Sequence, residues 1–330
     1  MRPKERNEQT GIFRLLTGVA GAALWASQAR GQGNSPAPQA PKTIPTIDPP
    51  DPNTEIPEFK LPTKSCDCHT HIFGPASRYP FAPNRPYNAP DAPLEAFRAA
   101  HAKIGVERCV IVNATPHGTD NRVVTDAIAQ SGGAYRGIAN VSDEMWDKDL
   151  ADLDKAGIRG CRFAFLKRGG VGDMNKFNRI VHRGAELGWH VDVYFEPGTI
   201  SEFAPILSAL PTSYVIDHMG TVIAAKGLDE PAFKALLDLQ SSDEKCWVKI
   251  SGLERASAVG KPFHDAVPFA KLLIDNARDR VLWGTDWPHP NVKIIPNDGE
   301  IVDLIPLYAS DPETHQMLLV DNPAKLFKFT

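Results

Sequence analysis

The stretch that decides the fold is Ser65-Cys66-Asp67-Cys68-His69-Thr70-His71, read together with Trp283-Gly284-Thr285-Asp286-Trp287 far downstream. Both follow the pattern of a short buried strand that ends in polar side chains. Residues two apart on a strand share a face, so we expect Asp67, His69 and His71 on one face. Cys66 and Cys68 then lie on the other face, packed outward against helices. A closed parallel barrel would bring the first and last strands side by side and join the two motifs in one site.

The rest of the chain after Lys64 alternates short β-branched runs with helical patterns. The predicted strands are 64–69, 108–114, 135–141, 158–165, 190–195, 214–217, 247–251 and 281–284. The predicted helices include 94–104, 121–130, 176–187, 200–209, 231–240 and 268–277. This alternation predicts an α/β fold, a (β/α)8 TIM barrel. A doubly wound sheet is the alternative, but no Gly-x-Gly-x-x-Gly follows the first strand.

The segment before the barrel has two parts. In residues 1–30, basic residues precede an apolar run over 15–25, and Ser27 and Ala29 fit a signal-peptidase site. Residues 31–63 are rich in proline, which is typical of an extended linker or a strap over a domain surface. The barrel then occupies 64–330. We expect a periplasmic or exported protein without stable membrane association after processing, with a cytoplasmic location as the alternative.

Composition excludes some classes of function. The 330 residues carry a formal net charge of −4, which disfavours nucleic acid as a partner. The five cysteines show no framework spacing, so they predict small buried side chains and no disulfide scaffold. The chain is expected to be a monomer or a small homo-oligomer.

Polar side chains stand at or just beyond the carboxyl ends of the predicted strands, where a barrel of this kind places its chemistry. They are Asn113, Thr115, His117, Arg162, Arg168, Tyr194, Glu196, His218, Arg255 and Asp286. Three are arginines, whose guanidinium groups pair with carboxylates or sulfonates. These residues predict a pocket for a small anionic molecule.

Two of these residues suit acid–base chemistry. Asp286 lies between Trp283 and Trp287, and a carboxyl group shielded by aromatic rings is expected to have a raised pKa, as a general base requires. His218 could polarise a carbonyl group or stabilise an oxyanion.

The quoted motifs resemble those of the amidohydrolase superfamily, and most closely its 2-pyrone-4,6-dicarboxylate hydrolase branch. The resemblance covers essentially residues 64–329. It is carried by Cys-Asp-Cys-His-Thr-His-Ile-Phe-Gly-Pro from Cys66, 78–87, 113–121, 159–168, Ile-Asp-His-Met-Gly from Ile216, Lys-Ile-Ser-Gly from Lys249, Trp-Gly-Thr-Asp-Trp-Pro-His-Pro from Trp283, and Asp-Asn-Pro-Ala from Asp321.

The resemblance implies hydrolysis of a lactone. Asp286 would take a proton from water, and His69, His71 and His218 would surround the lactone carbonyl. The acidic substituents would be held by Tyr87, Thr115, Arg162, Arg168, Tyr194 and Arg255. The local Ala-Thr-Pro-His from Ala114 departs from the family's usual Ala-Ser-Cys-His. Sister enzymes of this branch open 4-sulfomuconolactone to maleylacetate and sulfite, and we place that substrate first and 2-pyrone-4,6-dicarboxylate second.

The resemblance leaves the metal open. Most amidohydrolases bind zinc or a similar ion through His-x-His, a histidine on the fifth strand and the final aspartate. Here the fifth strand offers Tyr194 in that place, and His190 lies deep in the barrel. We favour catalysis without a cofactor. The alternative is Zn²⁺ or another divalent metal held by His69, His71 and Asp286.

Three further functions are compatible with parts of the pattern. A metal-dependent decarboxylase would need the missing histidine. A sugar-lactone isomerase would need contacts to sugar hydroxyls, whereas this mouth is rich in arginine. A non-catalytic secreted binding protein would account for the leader and the arginines, but not for two histidines and an aspartate at the first and last strand ends.

Overall fold

A computed structural model of the chain describes residues 43–165 and 173–330. Eight parallel strands form one sheet in the order β1 to β8. The strands are β1 (Cys66–Thr70), β2 (Arg108–Val112), β3 (Tyr135–Ala139), β4 (Ile158–Phe165), β5 (His190–Phe195), β6 (Tyr214–Ile216), β7 (Cys246–Ile250) and β8 (Val281–Trp283). The predicted strands agree to within two residues at each end, and the predicted barrel architecture is confirmed.

Helices connect the strands, as parallel pairing requires. They are α1 (Leu94–Ile104), α2 (Arg122–Ala129), α3 (Asp147–Lys155), α4 (Met174–Glu186), α5 (Ile200–Ser208), α6 (Pro231–Ser242), α7 (Leu253–Ala256), α8 (Val267–Ala277), α9 (Asp298–Asp303), α10 (Ile305–Tyr308), α11 (Pro312–Gln316) and α12 (Asn322–Phe327). Gly105 ends α1 at φ 82°, and its N–H donates to the carbonyl of His101. Glycine adopts this left-handed conformation without steric cost.

The prediction that Cys66 and Cys68 face outward is wrong. Asp67 pairs with Cys109 and Thr70 pairs with Ile111, so β1 has one residue more than β2 between the two pairs. This extra residue indicates a β-bulge. The extra residue shifts the alternation of side chains, so both cysteines lie in the barrel interior with the apolar residues of the other strands. Asp67 is separated from the histidine face and contacts His101 of α1, with Nε2 of the imidazole 3.1 Å from Oδ2.

The lower part of the barrel interior is apolar. Its residues come from β1, β2, β3, β6, β7, β8 and the C-terminal segment, and they are Cys66, Cys68, Val110, Val112, Ile138, Val215, Trp247, Leu282, Phe327 and Phe329. All five cysteines of the chain are buried and unpaired, as predicted. This packed layer supports the polar residues above it.

Closure of the barrel takes place at its upper end. Asp286 donates its backbone N–H to the carbonyl of His69 at 2.8 Å, and His71 donates to the carbonyl of Trp287 at 2.7 Å. The hydroxyl of Thr285 donates to Oδ2 of Asp67 at 2.5 Å and reinforces the contact. The seam between β1 and the chain after β8 therefore brings the two motifs together.

The proline-rich segment lies partly within the described residues. Ile47 donates its backbone N–H to Asn88, and Glu55 and Phe59 donate theirs to the side chains of Asn297 and Asp303. Residues 44–330 form one compact unit. The predicted leader, 1–30, lies outside the described residues. Among the helices that the structure describes, none combines the length and the apolar character needed to cross a membrane.

The closing seam leaves no room for a side chain at Gly284. A Cβ atom at this position would lie 2.8 Å from the backbone nitrogen of His69. We therefore expect Gly284→Ala to reduce the free energy of unfolding by about 1–3 kcal/mol, the usual cost of overpacking. Urea denaturation measures this effect.

The matched control is Gly184→Ala in α4, where the nearest atom to a Cβ would be 3.6 Å away. This variant should be as stable as the parent or slightly more stable, because alanine favours the helix. Equal stability of Gly284→Ala and the parent would contradict the close approach at the seam.

Candidate active site

Three histidines and one aspartate meet at the upper end of the barrel. Nε2 of His71 lies 3.3 Å from Oδ1 of Asp286, and Nε2 of His69 lies 3.7 Å from the same oxygen. The rings of His69 and His218 are 4.7 Å apart. All four side chains are buried. The structure thus brings together the residues predicted from the first, sixth and eighth strands.

The expectation of a raised pKa at Asp286 is wrong. Burial raises the pKa of the carboxyl group, but the Arg255 guanidinium and the three neighbouring imidazoles together outweigh burial and hold the pKa well below its usual range. Nη2 of Arg255 is 2.5 Å from Oδ2 of Asp286 and also donates to the carbonyl of Pro290. Oδ1 of Asp286, by contrast, accepts no hydrogen bond within the described chain. Asp286 is therefore an ionised base whose Oδ1 faces the imidazoles of His69 and His71 without accepting a hydrogen bond from the described residues.

Two of the histidines are neutral at ordinary pH. Burial lowers the pKa of His69 to about 4, and it lowers the pKa of His218 well below the usual value. Nδ1 of His218 is 2.9 Å from the hydroxyl of Ser251. Nδ1 of His71 lies 2.7 Å from the carbonyl of Val112, which can only accept, so this nitrogen carries a proton.

A charged layer lies directly beneath the histidines. The ammonium group of Lys249 is 2.5 Å from Oδ2 of Asp192 and 3.2 Å from Oδ1 of Asp217. It also donates to Nδ1 of His69 at 3.2 Å. Below it, Nε2 of His190 is 3.2 Å from Oδ1 of Asp192, which confirms the deep position predicted for this histidine.

These buried charges stabilise one another. Burial alone would favour the neutral form of each group, but Lys249, His69 and Arg162 together hold the pKa of Asp217 well below its usual range. Likewise, burial lowers the pKa of Lys249, yet the neighbouring carboxylates raise it above its ordinary value. The ions therefore remain paired inside the barrel.

Two of the three predicted arginines reach the site. Arg162 donates from Nε to Oδ2 of Asp217 at 2.8 Å, and its guanidinium carbon lies 5.5 Å from the centre of the Tyr194 ring. The ring of Tyr194 in turn meets that of His218 edge to face at 5.6 Å. Arg255 contacts Asp286, as described above. Each arginine thus pairs with a carboxylate of the site.

Of the remaining predicted binding residues, Tyr87 is buried, Thr115 is exposed, and Arg168 is not among the described residues. Tyr87 is buried beside Phe73, and burial raises the pKa of its hydroxyl. Thr115 is exposed in the short 3₁₀ turn Thr115–His117, above β2. Arg168 lies outside the described residues.

Four buried charged residues of the site were not predicted from the sequence: Asp192, Asp217, Lys249 and Glu254. Asp192 lies two residues before Tyr194 on β5, Asp217 directly precedes His218 after β6, and Lys249 lies within the apolar strand β7. A charged residue within or directly after an apolar strand was the available signal. The side chain of Glu254 is 1% exposed, and both of its oxygens lack a hydrogen bond from the described residues. Burial raises the pKa of this carboxyl group.

Two groups of side chains in the described chain are close enough to hold a metal ion. One consists of His69, His71 and Asp286, and the other of His69, Asp217 and His218. In each group the possible ligand atoms lie within 4.8 Å of one another. His69 belongs to both, so its lone pairs decide whether either group fits a metal.

The hydrogen bonds of His69 do not fit a bound metal. The Lys249 ammonium has no lone pair, so Nδ1 of His69 must accept its hydrogen bond. A neutral imidazole then carries its proton on Nε2. One nitrogen is occupied and the other has no lone pair for a cation. The positive charges of Lys249 and Arg255 disfavour a cation further.

Comparison with known proteins identifies the family. The amidohydrolase family model matches residues 66–329. A 2-pyrone-4,6-dicarboxylate hydrolase from Comamonas testosteroni is 43% identical over 287 residues, which cover 83% of this chain and 93% of the relative. A 4-sulfomuconolactone hydrolase from Hydrogenophaga intermedia is 39% identical over 274 residues, with 82% and 90% covered.

The fold agrees with this family. A solved structure from Agrobacterium tumefaciens superimposes with a TM-score of 0.72 and 27% identity, and the match covers 83% of this chain and 99% of that one. The family model spans the whole barrel, from β1 to the residues after α12. The chain therefore belongs to the amidohydrolase family.

Proposed function

We propose that this hydrolase opens a small lactone that carries anionic substituents, with Asp286 activating the attacking water. One observation carries the proposal. The buried, ionised Asp286 lies beside the neutral imidazoles of His69 and His218 and is paired with Arg255, and a second arginine, Arg162, is paired with the neighbouring Asp217. This combination supplies a base, donors for an oxyanion and cationic partners for the substrate in one place.

Asp286 serves as the general base. Its Oδ1 is free to accept a proton from water, whereas Oδ2 is held by Arg255. When Arg255 turns to an anionic group of the substrate, its hold on Asp286 weakens and the pKa of the carboxyl rises. The carboxylate then becomes a stronger base at the moment when substrate is bound.

The histidines stabilise the charge that forms on the carbonyl oxygen. Water attacks the lactone carbonyl carbon and gives one proton to Asp286, and the carbonyl oxygen becomes an oxyanion. Nε2 of His69 carries a proton and has no partner among the described residues, so it can donate to this oxygen. The ring carbon–oxygen bond then breaks, and the proton on Asp286 passes to the leaving oxygen.

The arginines bind the acidic substituents. Arg162 and Arg255 each form an ion pair with a carboxylate of the site. An anionic group of the substrate can replace that carboxylate as the partner of the arginine. Tyr87, Tyr194, Thr115 and Arg168 complete the proposed binding set. No cofactor is part of this proposal.

Within this class, we propose 4-sulfomuconolactone as the substrate, because the turn from Ala114 to His117 departs from the pattern of the pyrone-dicarboxylate enzymes. The second candidate is 2-pyrone-4,6-dicarboxylate, which the relative with 43% identity supports.

Both lactones should be assayed side by side with purified protein. We expect sulfite release from the first. Loss of ultraviolet absorbance of the pyrone, without turnover of the sulfonated lactone, would reverse the order.

Replacing Asp286 by Asn tests the general base. The change removes the proton acceptor but keeps the size of the side chain, so kcat should fall by about 10²- to 10⁴-fold. Substrate affinity, measured by calorimetry, should change little. Steady-state kinetics measures the loss of turnover.

The control is Asp229→Asn at a surface ion pair with Lys234, which should leave kcat unchanged. Circular dichroism checks that both variants are folded. A kcat within threefold of the parent in Asp286→Asn would rule out Asp286 as the base, and unchanged ligand affinity without any parent turnover would favour a binding protein.

The pH profile follows from the lowered pKa values. Asp286 remains ionised and His69, with a pKa of about 4, remains neutral as pH falls through the mildly acidic range. We therefore expect kcat/KM to be flat from about pH 5.5 to 8 and to decline only as pH approaches 4 and His69 gains a proton. An acid limb centred near the ordinary histidine pKa of about 6.5 would contradict this arrangement.

A further inference from the structure

We infer that Lys249 is a positioning residue that holds His69 in the tautomer with its proton on Nε2. His69 is thereby made a hydrogen-bond donor toward the reacting carbonyl group and is unable to bind a metal through that nitrogen. The inference deepens the proposed lactone hydrolysis and rests on it for the role of the donor. The state of the His69 ring itself is independent of turnover.

The placement of Lys249 is unusual for a lysine. Its side chain is completely buried on β7, inside the barrel. A buried ammonium is costly unless each of its N–H groups finds an acceptor. The acceptors within reach are Oδ2 of Asp192 at 2.5 Å, Nδ1 of His69 at 3.2 Å and Oδ1 of Asp217 at 3.2 Å. Three N–H groups face three acceptors only if Nδ1 of His69 is unprotonated.

The opposite tautomer would place the proton on Nδ1, facing Asp217. Oδ1 of Asp217 is 3.2 Å from Nδ1, but this oxygen is equally close to the Lys249 ammonium, and no hydrogen bond from Nδ1 to it is formed in the described part of the chain. Its other oxygen, Oδ2, already accepts from Arg162. A proton on Nδ1 would also set two donors, His69 and Lys249, against each other across 3.2 Å. The geometry therefore favours the proton on Nε2.

The proton on Nε2 lies where the chemistry needs a donor. Nε2 is 3.7 Å from Oδ1 of Asp286, which is too long for a hydrogen bond, and it is left without a partner in the described chain. It can donate to an oxyanion that forms beside Asp286. Without Lys249, Nδ1 could donate to Asp217 instead, and Nε2 would present a lone pair.

Loss of the Lys249 ammonium should therefore change Nε2 of His69 from a hydrogen-bond donor to a possible metal ligand. Nε2 of His69 would then offer a lone pair beside Nε2 of His71 and Oδ1 of Asp286. The possible ligand atoms of these three residues lie within 4.8 Å of one another. Three such ligands with an open position are what zinc prefers in catalytic sites. Lys249 would thus exclude the metal in two ways. It keeps a proton on Nε2 of His69, and its positive charge repels a cation.

The first experiment measures the tautomer in the unaltered protein. Long-range ¹H–¹⁵N correlation spectra of protein labelled with ¹⁵N-histidine distinguish a protonated from an unprotonated ring nitrogen. The His69 signals are assigned by their loss in His69→Gln. We expect Nε2 protonated and Nδ1 unprotonated at pH 7. The reverse pattern in the folded parent would overturn the inference, whatever the behaviour of any Lys249 variant.

The second experiment replaces Lys249 by Met, which has a similar length but no charge. Folded Lys249→Met should bind Zn²⁺ at least about tenfold more tightly than the parent, as measured by calorimetry with ZnCl₂. In the presence of EDTA its kcat should fall by about 10²-fold, the typical cost of one oxyanion donor, with KM changed much less. The matched control is Lys245→Met, because Lys245 is only partly buried, just before β7, and its ammonium donates to the carbonyls of Ser208 and Leu210.

The outcomes separate this inference from the proposed function. Tight, stoichiometric zinc binding by the parent, or a folded Lys249→Met variant without a gain in zinc affinity, would overturn the role of Lys249. If neither lactone is turned over but the spectra show the Nε2 proton and Lys249→Met gains zinc affinity, the proposed substrate class fails and the control of the His69 ring by Lys249 stands.

Discussion

The rest of this structure depends on the seam at which the barrel closes. Two backbone hydrogen bonds, from Asp286 to His69 and from His71 to Trp287, join the end of β1 to the chain after β8. These hydrogen bonds join the backbones of residues whose side chains form the site, so the same contacts close the barrel and bring the site together. A glycine at position 284 is required because the two backbones approach too closely for a Cβ atom.

Electrostatics beneath the seam determines the state of the catalytic groups. The barrel interior changes from an apolar layer to a layer of paired charges around Lys249. In this buried setting, ionised carboxylates and neutral imidazoles coexist, because each carboxylate has a cationic partner whereas burial disfavours charge on His69 and His218. The result is a base that stays ionised beside rings that stay neutral, an arrangement suited to water attack on a carbonyl group.

Much of the architecture could be predicted from the sequence, because strand and helix periodicity and turn residues are local properties. The predicted strands and helices lie within two residues of the observed ones. Two expectations were wrong for a physical reason that is not local. The β-bulge after Asp67 depends on pairing with β2 and places Cys66 and Cys68 inside the barrel. The pKa of Asp286 is raised by burial, as expected, but Arg255 and the histidines from other strand ends lower it by more.

The sequence by itself determined the barrel, the polar residues at the strand ends and the pairing of His69 and His71 with Asp286. These follow from residue types and spacing along the chain. Only the tertiary structure decided that Asp192, Asp217 and Lys249 form a buried charged layer and that Lys249 faces Nδ1 of His69. The reason is that hydrogen-bond direction, burial and the distance between charges arise only when strands distant in sequence are packed together, and those quantities set protonation and metal preference.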